Sequence, residues 1–422
     1  MNWYNFTSTD DGINCEMVSL DTIVKEVGTP AYVYSKEYIV NQYKEYTEPL
    51  SDIPNILCYA IKANSNLEIL RLLNELGSGA EVVSGGELFR CLKAGINPEK
   101  IVYSGVGKSP EELEYAIQSK VLMINIESET ELRMISKLAS ENGTTMKIGV
   151  RFNPNIQPET HPYISTGLKE HKFGFLMEQT DALYGIASKL PGVEIAGIQT
   201  HIGSQIINIR PFIDSFKKTL LMREHLVREG YPVEYISIGG GLGISYEDET
   251  PTTPKEYMEE ILRTLNEPID GIEIKKDFTL ISEPGRSLVG NGGCIVTRVI
   301  AVKERKNKKF IIIDAGMNDL MRPALYSAHH KIVPNILREG KIGTVDVAGP
   351  VCETGDTFAT GLQFPTVETG DLLVILSAGA YGFSMASNYN SRPKPVEVLV
   401  DKDNFKIIRK RETYDDLIRG EL

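Results

Sequence analysis

The stretch ILCYAIKANSNLEIL, Ile56 to Leu70, decides how this chain folds. An apolar run from Ile56 to Ile61 reads as a buried strand, stops at Lys62, and gives way to a polar turn and a helical pattern. An ammonium group partly withdrawn from water must be paired, neutralised or used, so the end of this strand raises a chemical question as well as a structural one. The same strand-then-helix unit recurs downstream. Strand-like runs at 79–83 (GAEVV), 101–104 (IVYS), 121–126 (VLMINI), 146–152 (MKIGVRF), 195–201 (IAGIQTH), 235–238 (YISI) and 277–282 (DFTLIS) bring the total to eight, with helical stretches such as 66–76, 109–118 and 129–140 between them. Eight alternations predict an α/β fold of the (β/α)8 TIM-barrel type, whose chemistry gathers at the C-terminal ends of the strands. Those ends carry Lys62, Ser84, Glu127, Arg151, His201, Gly239 to Gly241 and Glu283.

Beyond about residue 286 the long helices disappear, and strands and turns predict a smaller β-sandwich or barrel-like domain. The basic run KERKNKK, 303–309, lies between two apolar strands and reads as a solvated hairpin tip. The connection 153–175, NPNIQPETHPYISTGLKEHKFGF, is long and proline-containing and is a candidate lid.

The 422 residues, 41% of them hydrophobic, can build a large core, and a net charge of −12 argues against a nucleic-acid or anionic-membrane surface. Partners are therefore expected to be small molecules or proteins. Cysteines at 15, 58, 91, 294 and 352, with no CxxC pair, fit reduced thiols better than a disulfide framework or zinc site. The N-terminal residues lack the order of a signal peptide, and no run is apolar for the length of a membrane span, so a cytoplasmic location is expected.

Taken singly, the candidate residues stay open. Lys62 reads as an exposed strand end, half of an ion pair, or an amine that forms a Schiff base. The glycines of SIGGGLGISY let backbone N–H groups approach a phosphate, and barrels often bind phosphate after strands seven and eight, but such a loop can also be a tight turn. Glu283 either pairs with Arg286 across the EPGR turn or faces a pyridine nitrogen. His201 is a satisfied core residue or a surface that stacks on a planar ring. His329 and His330 are adjacent and make a poor chelate, and no metal is expected.

The ordered set YAIKAN (59–64), THIGSQ (200–205), GGGLG (239–243), EPGRSLVGNGG (283–293), MRPALY (321–326), GPVCETGD (349–356) and GAYGFSMASNYN (379–390) resembles the pyridoxal-phosphate decarboxylases of the alanine-racemase-like fold, across about residues 30 to 400. The resemblance implies pyridoxal 5'-phosphate carried covalently on Lys62, with His201 stacked on its ring. Gly240, Gly241 and Gly285 of the two turns would hold the phosphate, and Glu283 would face the ring nitrogen. Arg286, Arg322, Tyr326, Glu353 and Tyr381 would bind substrate, with Arg286 and Tyr381 also near the cofactor. Cys352 would return a proton to the α-carbon after CO2 leaves; a small buried apolar role is the alternative for that cysteine. A homodimer with shared active sites is implied, because in this family the segment bearing Cys352 and Glu353 reaches the partner's site. The domains would be a barrel over 31–285 and a β domain from 1–30 with 286–422.

Within that family the set is most similar to the branch acting on meso-2,6-diaminopimelate, which yields L-lysine. Two arginines suit a distal carboxylate, and Glu353 suits a distal ammonium. The alternatives are a sister decarboxylase acting on ornithine, a carboxy-polyamine or a modified amino acid, and a catalytically silent cofactor-binding homologue. One departure stands out, Glu81 where the family mostly has aspartate, which keeps the charge and lengthens the reach by one methylene.

Overall fold

A computed structural model of the chain describes residues 2–156, 173–306, 308–338 and 340–422. Its contacts divide it into two units: residues 42–243 with 250–287, and residues up to 41 with 244–249 and 288–422.

In the first unit eight parallel strands close a barrel in chain order: β1 (Asn55–Ala60), β2 (Gly79–Val82), β3 (Ile101–Tyr103), β4 (Met123–Ile126), β5 (Met146–Arg151), β6 (Val193–Gln199), β7 (Tyr235–Ser237) and β8 (Thr279–Ser282). β8 returns to β1 with Ile281 opposite Ile56. All eight predicted strands are present. Cys58, Val102, Met123, Ala196 and Ile281 come from five of them and pack together, which residues spread around a closed barrel can do only in its interior. Met123 fills the space that side chains on Gly149 and Gly197 would occupy: a Cβ at either would lie 2.9 or 2.8 Å from its Sδ. The barrel floor is thus a packed core and not a pore.

Several of the helices that follow the strands begin at capped ends. Asn66 Oδ1 accepts the Glu68 N–H at 3.0 Å before Leu67–Glu75, and Ser84 Oγ accepts the Glu87 N–H before Gly85–Ala94. Ser109 with Glu112, and Thr253 with Glu256, form capping boxes ahead of Pro110–Gln118 and Pro254–Asn266. Each cap satisfies N–H groups the first turn leaves unpaired and so fixes where the strand-to-helix loop ends. Each helix then turns an apolar stripe inward, as with Ile69, Leu70, Leu72 and Leu73.

In the second unit a mostly antiparallel sheet of nine strands is built around Gly293–Arg305, which pairs with Lys308–Ile313, Leu372–Ile375 and Ala31–Ser35. A four-stranded N-terminal sheet, Asn2 to Ser19, and the helix Leu20–Val27 add Phe6, Ile13, Leu20 and Ile23 to a core with Val33, Val296, Val374 and Val398. Of the run KERKNKK, residue 307 lies outside the described residues; on either side of it two antiparallel strands pair, with Arg305 opposite Lys308.

The expected domain boundaries need correction. Ala31–Ser35 pairs antiparallel with Gly293–Val296 and parallel with Val396–Val400, so it belongs to the β sheet and not to a barrel beginning at residue 31. The division falls at 41/42 and 287/288, and residues 244–249 group with the β unit. Of the candidate lid over 153–175, residues 157–172 lie outside the described residues. Its two ends meet beyond β5, where the Asn153 N–H donates to the Phe175 carbonyl and the Phe175 N–H to the Arg151 carbonyl, both at 2.8 Å. Among the described residues no helix is long and apolar enough to cross a membrane.

Candidate active site

β1 ends in the short turn Ile61–Ala63, which sets Lys62 on the barrel rim. Its Nζ lies 2.7 Å from Glu81 Oε2 of β2; the lysine side chain is 38% exposed and that of the glutamate 3%. A carboxylate this deeply buried needs a cation within reach, and the extra methylene of Glu81 is the reach that meets one. The expected departure at Glu81 is therefore a direct contact with the central lysine.

On the other side of β1, Glu283 follows its neighbour β8. Ser237 Oγ, at the end of β7, donates to its Oε1 at 2.6 Å, and Gln199 Nε2, at the end of β6, donates to its Oε2 at 3.1 Å. All three side chains are buried. Burial, and after it the negative charge of Glu81, push the Glu283 carboxyl up to about 7, against the pull of the two donors and Lys62. Such a group exchanges a proton near neutrality.

His201 follows β6, and its Nδ1 accepts the Gly240 N–H at 3.3 Å. Burial, with Arg151 and Lys62 nearby, holds the imidazole well below the ordinary histidine range. The ring is neutral and offers a flat face, not an acid. Gly240 and Gly241 admit no side chain: a Cβ on the first would lie 2.1 Å from the Glu283 carbonyl oxygen, and on the second, at φ +116°, 2.2 Å from that of Gly203. The loop lies backbone-first against the strand ends, the geometry an anion cradle requires. Because the Gly240 N–H serves His201, Gly240 contributes chiefly through its missing side chain. Gly285 is also tight, 3.2 Å by the same measure from Ala60 Cβ. Arg286 is buried, and its Nη2 donates to Ser204 Oγ at 2.9 Å, so the alternative pairing of Glu283 with Arg286 is not what the two side chains do: the glutamate faces Ser237 and Gln199.

The β unit holds the remaining candidates. Arg322 opens the helix Arg322–Tyr326, with its guanidinium 4.5 Å from the Tyr246 ring centre and Nη1 2.7 Å from His330 Nε2. His330 Nδ1 lies 3.0 Å from the Leu376 carbonyl, which only accepts, so Nδ1 carries the proton and Nε2 receives from Arg322. His329, by contrast, is exposed and 3.7 Å from Glu247. Tyr326 and Tyr381 are half-buried, and Tyr381 has φ +54°, a left-handed conformation that costs an aromatic residue energy and is often held at functional sites. Cys352 and Glu353 are exposed on a turn, with the Cys352 N–H donating to Asn390 Oδ1 at 3.0 Å. The other four cysteines are buried.

A family model described as the pyridoxal-binding domain of the pyridoxal-dependent decarboxylases matches residues 36–290. The diaminopimelate decarboxylase of Aquifex aeolicus is 44% identical over 413 residues, 98% of this chain and 96% of that one. The chain belongs to the diaminopimelate decarboxylase family. As a member it is a pyridoxal-phosphate-dependent carboxy-lyase. Among solved diaminopimelate decarboxylases, that of Helicobacter pylori complexed with L-lysine matches with a TM-score of 0.89 at 42% identity, covering 95% of this chain and 98% of that one. That of M. jannaschii, also with L-lysine, matches with a TM-score of 0.94 at 39% identity over 100% and 99% of the two chains.

Sequence reasoning missed Gln199, Ser237, Ser204, Tyr246 and His330. Ser237 and Gln199 had one usable signal, a polar side chain near the end of an otherwise apolar barrel strand, where function gathers in this family's fold.

Proposed function

We propose that this chain decarboxylates meso-2,6-diaminopimelate to L-lysine and CO2, the last step of lysine biosynthesis, through the residues described above. The reading rests on Lys62, held at the barrel rim by buried Glu81, beside buried Glu283 and a loop with no room for side chains. That set fits pyridoxal phosphate: an amine for its aldehyde, a backbone cradle for its phosphate and a carboxyl poised for its ring nitrogen. When bound, the cofactor supplies a sink for the electron pair that departing CO2 leaves behind.

Each residue then has a task. Lys62 Nζ would be the covalent attachment point, and Glu81 holds that amine in place at the rim. Glu283 shares a proton at the ring nitrogen. The neutral His201 ring stacks, and Gly241 and Gly285 hold the phosphate through their backbone while Gly240 keeps the loop close. Arg286 and Arg322 receive the distal carboxylate, Glu353 the distal ammonium, and Tyr326 and Tyr381 close the substrate pocket. Leaving one distal charge unpaired costs about 1–3 kcal/mol or more, enough to reject substrates that end in an amine alone. Cys352 delivers the proton to the α-carbon. The exposure of Cys352 and Glu353 on a single chain supports a homodimer in which Cys352 and Glu353 of the partner subunit complete each site.

Release of lysine and CO2 from meso-diaminopimelate, measured beside ornithine and lysine, tests the substrate. Borohydride reduction followed by peptide mapping tests the attachment. Cofactor trapped on a lysine other than Lys62, or faster turnover of ornithine, overturns the reading.

A further inference from the structure

The turn that carries Cys352 and Glu353 is built around a carboxylate that the function above does not use. Asp356 is 2% exposed. Its Oδ2 accepts the Val351 N–H at 2.7 Å and its Oδ1 the Met317 N–H at 2.6 Å. The turn closes on the same residue through its backbone: the Gly349 N–H donates to the Asp356 carbonyl, and the Asp356 N–H to that of Glu353, both at 3.1 Å. One side chain thus ties residues 349–356 to the loop 314–319 that leads toward Arg322.

The two loops approach as closely as atoms allow. A Cβ on Gly349 would lie 2.3 and 2.5 Å from the two Asp356 carboxylate oxygens, and one on Gly316 would lie 3.0 Å from Val351 Cγ2 and 3.2 Å from Pro350 Cδ. By contrast, the tip itself, Cys352 to Gly355, is exposed on its own chain, so burial within that chain does not fix where the thiol stands. Polar anchors must do that, and two are present: Asp356 from inside and Asn390, through the Cys352 N–H, from outside. Hydrogen bonds to an ionised acceptor sealed from water are strong ones.

We propose that Asp356 is a positioning residue for the reaction: by holding Val351 and Met317 it sets where Cys352 and Glu353 stand, without touching substrate itself. The proposal rests on the reading of Cys352 as the proton donor.

The test is Asp356→Asn in the holoenzyme. Asparagine keeps the shape but offers one acceptor and a donor, so one of the two backbone N–H groups faces another N–H. Expected are a fall in kcat of about 10- to 100-fold, the worth of one charge-assisted hydrogen bond, a higher KM through Glu353, and a changed rate of Cys352 labelling by a thiol reagent. Asn390→Gly, which suits the φ of +57° at that position, removes the outer anchor and shifts kcat and labelling in the same direction by less; it decides the matter if Asp356→Asn does not fold. A lower melting temperature with kcat and labelling rate unchanged overturns the proposal, because Asp356 then supports only the fold. Cys352→Ala separates the two readings: full turnover in that variant removes Cys352 as donor, while the labelling rate in Asp356→Asn still reports the position of the turn.

Discussion

Ser237 donates its hydroxyl to Glu283 at 2.6 Å, inside a barrel where neither side chain meets water. The hydrogen bond favours the ionised carboxyl, opposing the burial that raises it. Ser237→Ala therefore moves the Glu283 titration upward from about 7. The acid limb of the kcat–pH profile shifts to higher pH, and kcat at neutrality falls about 10-fold. The absorbance of bound cofactor, followed against pH, checks the same shift without turnover; a limb that stays in place removes Ser237 from this role.

Glu283 titrates near 7 in the folded chain, against 4.5 for an ordinary glutamate. Between those values the folded chain keeps a proton that the unfolded chain has released, so in the cofactor-free protein its contribution to stability falls as pH rises through that window. Glu87 and Asp319, both pushed up to about 7 chiefly by burial, act in the same direction. Glu283→Gln removes one of these shares. Melting temperatures of the cofactor-free variant should fall less steeply between pH 4.5 and 7 and lie above those of the parent at pH 7.5; an unchanged slope contradicts the assignment.

Gly240→Ala places a methyl group 2.1 Å from the Glu283 carbonyl oxygen, so the loop must move away from the strand ends. Overpacking of this kind costs about 1–3 kcal/mol. Cofactor affinity, measured by absorbance titration, should fall about 10- to 100-fold if the displaced backbone is, as proposed, the part that meets the phosphate.

Arg322→Lys keeps the charge and loses the planar fork that engages His330 and stacks on Tyr246. KM for meso-diaminopimelate should rise about 10- to 100-fold with a smaller change in kcat. Steady-state kinetics decide this; equal losses in kcat and kcat/KM would place Arg322 in the chemical step instead.

Local pattern made the barrel legible, because each of its strands carries its own apolar run and is followed by its own helix. The segment AYVYS, 31–35, shows where such reading stops: it is buried at every position, as a barrel strand would be, and only its long-range partners, Gly293–Val296 and Val396–Val400, assign it to the other unit. The site divides in the same way. Lys62, His201, the glycines and Glu283 stand at strand ends and could be found by position. The Glu81 contact with Lys62, and the donors that Ser237 and Gln199 send to Glu283, exist only once the barrel brings the ends of neighbouring strands together and their side chains meet.

Met123, nested against Gly149 and Gly197 on the barrel floor, makes the reaction chamber a cul-de-sac. Among the described residues Met123 closes the barrel axis, so in the proposed reaction carbon dioxide would leave from the strand ends at which the amino acid binds. Arrival and departure would then share the same rim of the barrel, and the gas would have to clear before the next molecule seats itself.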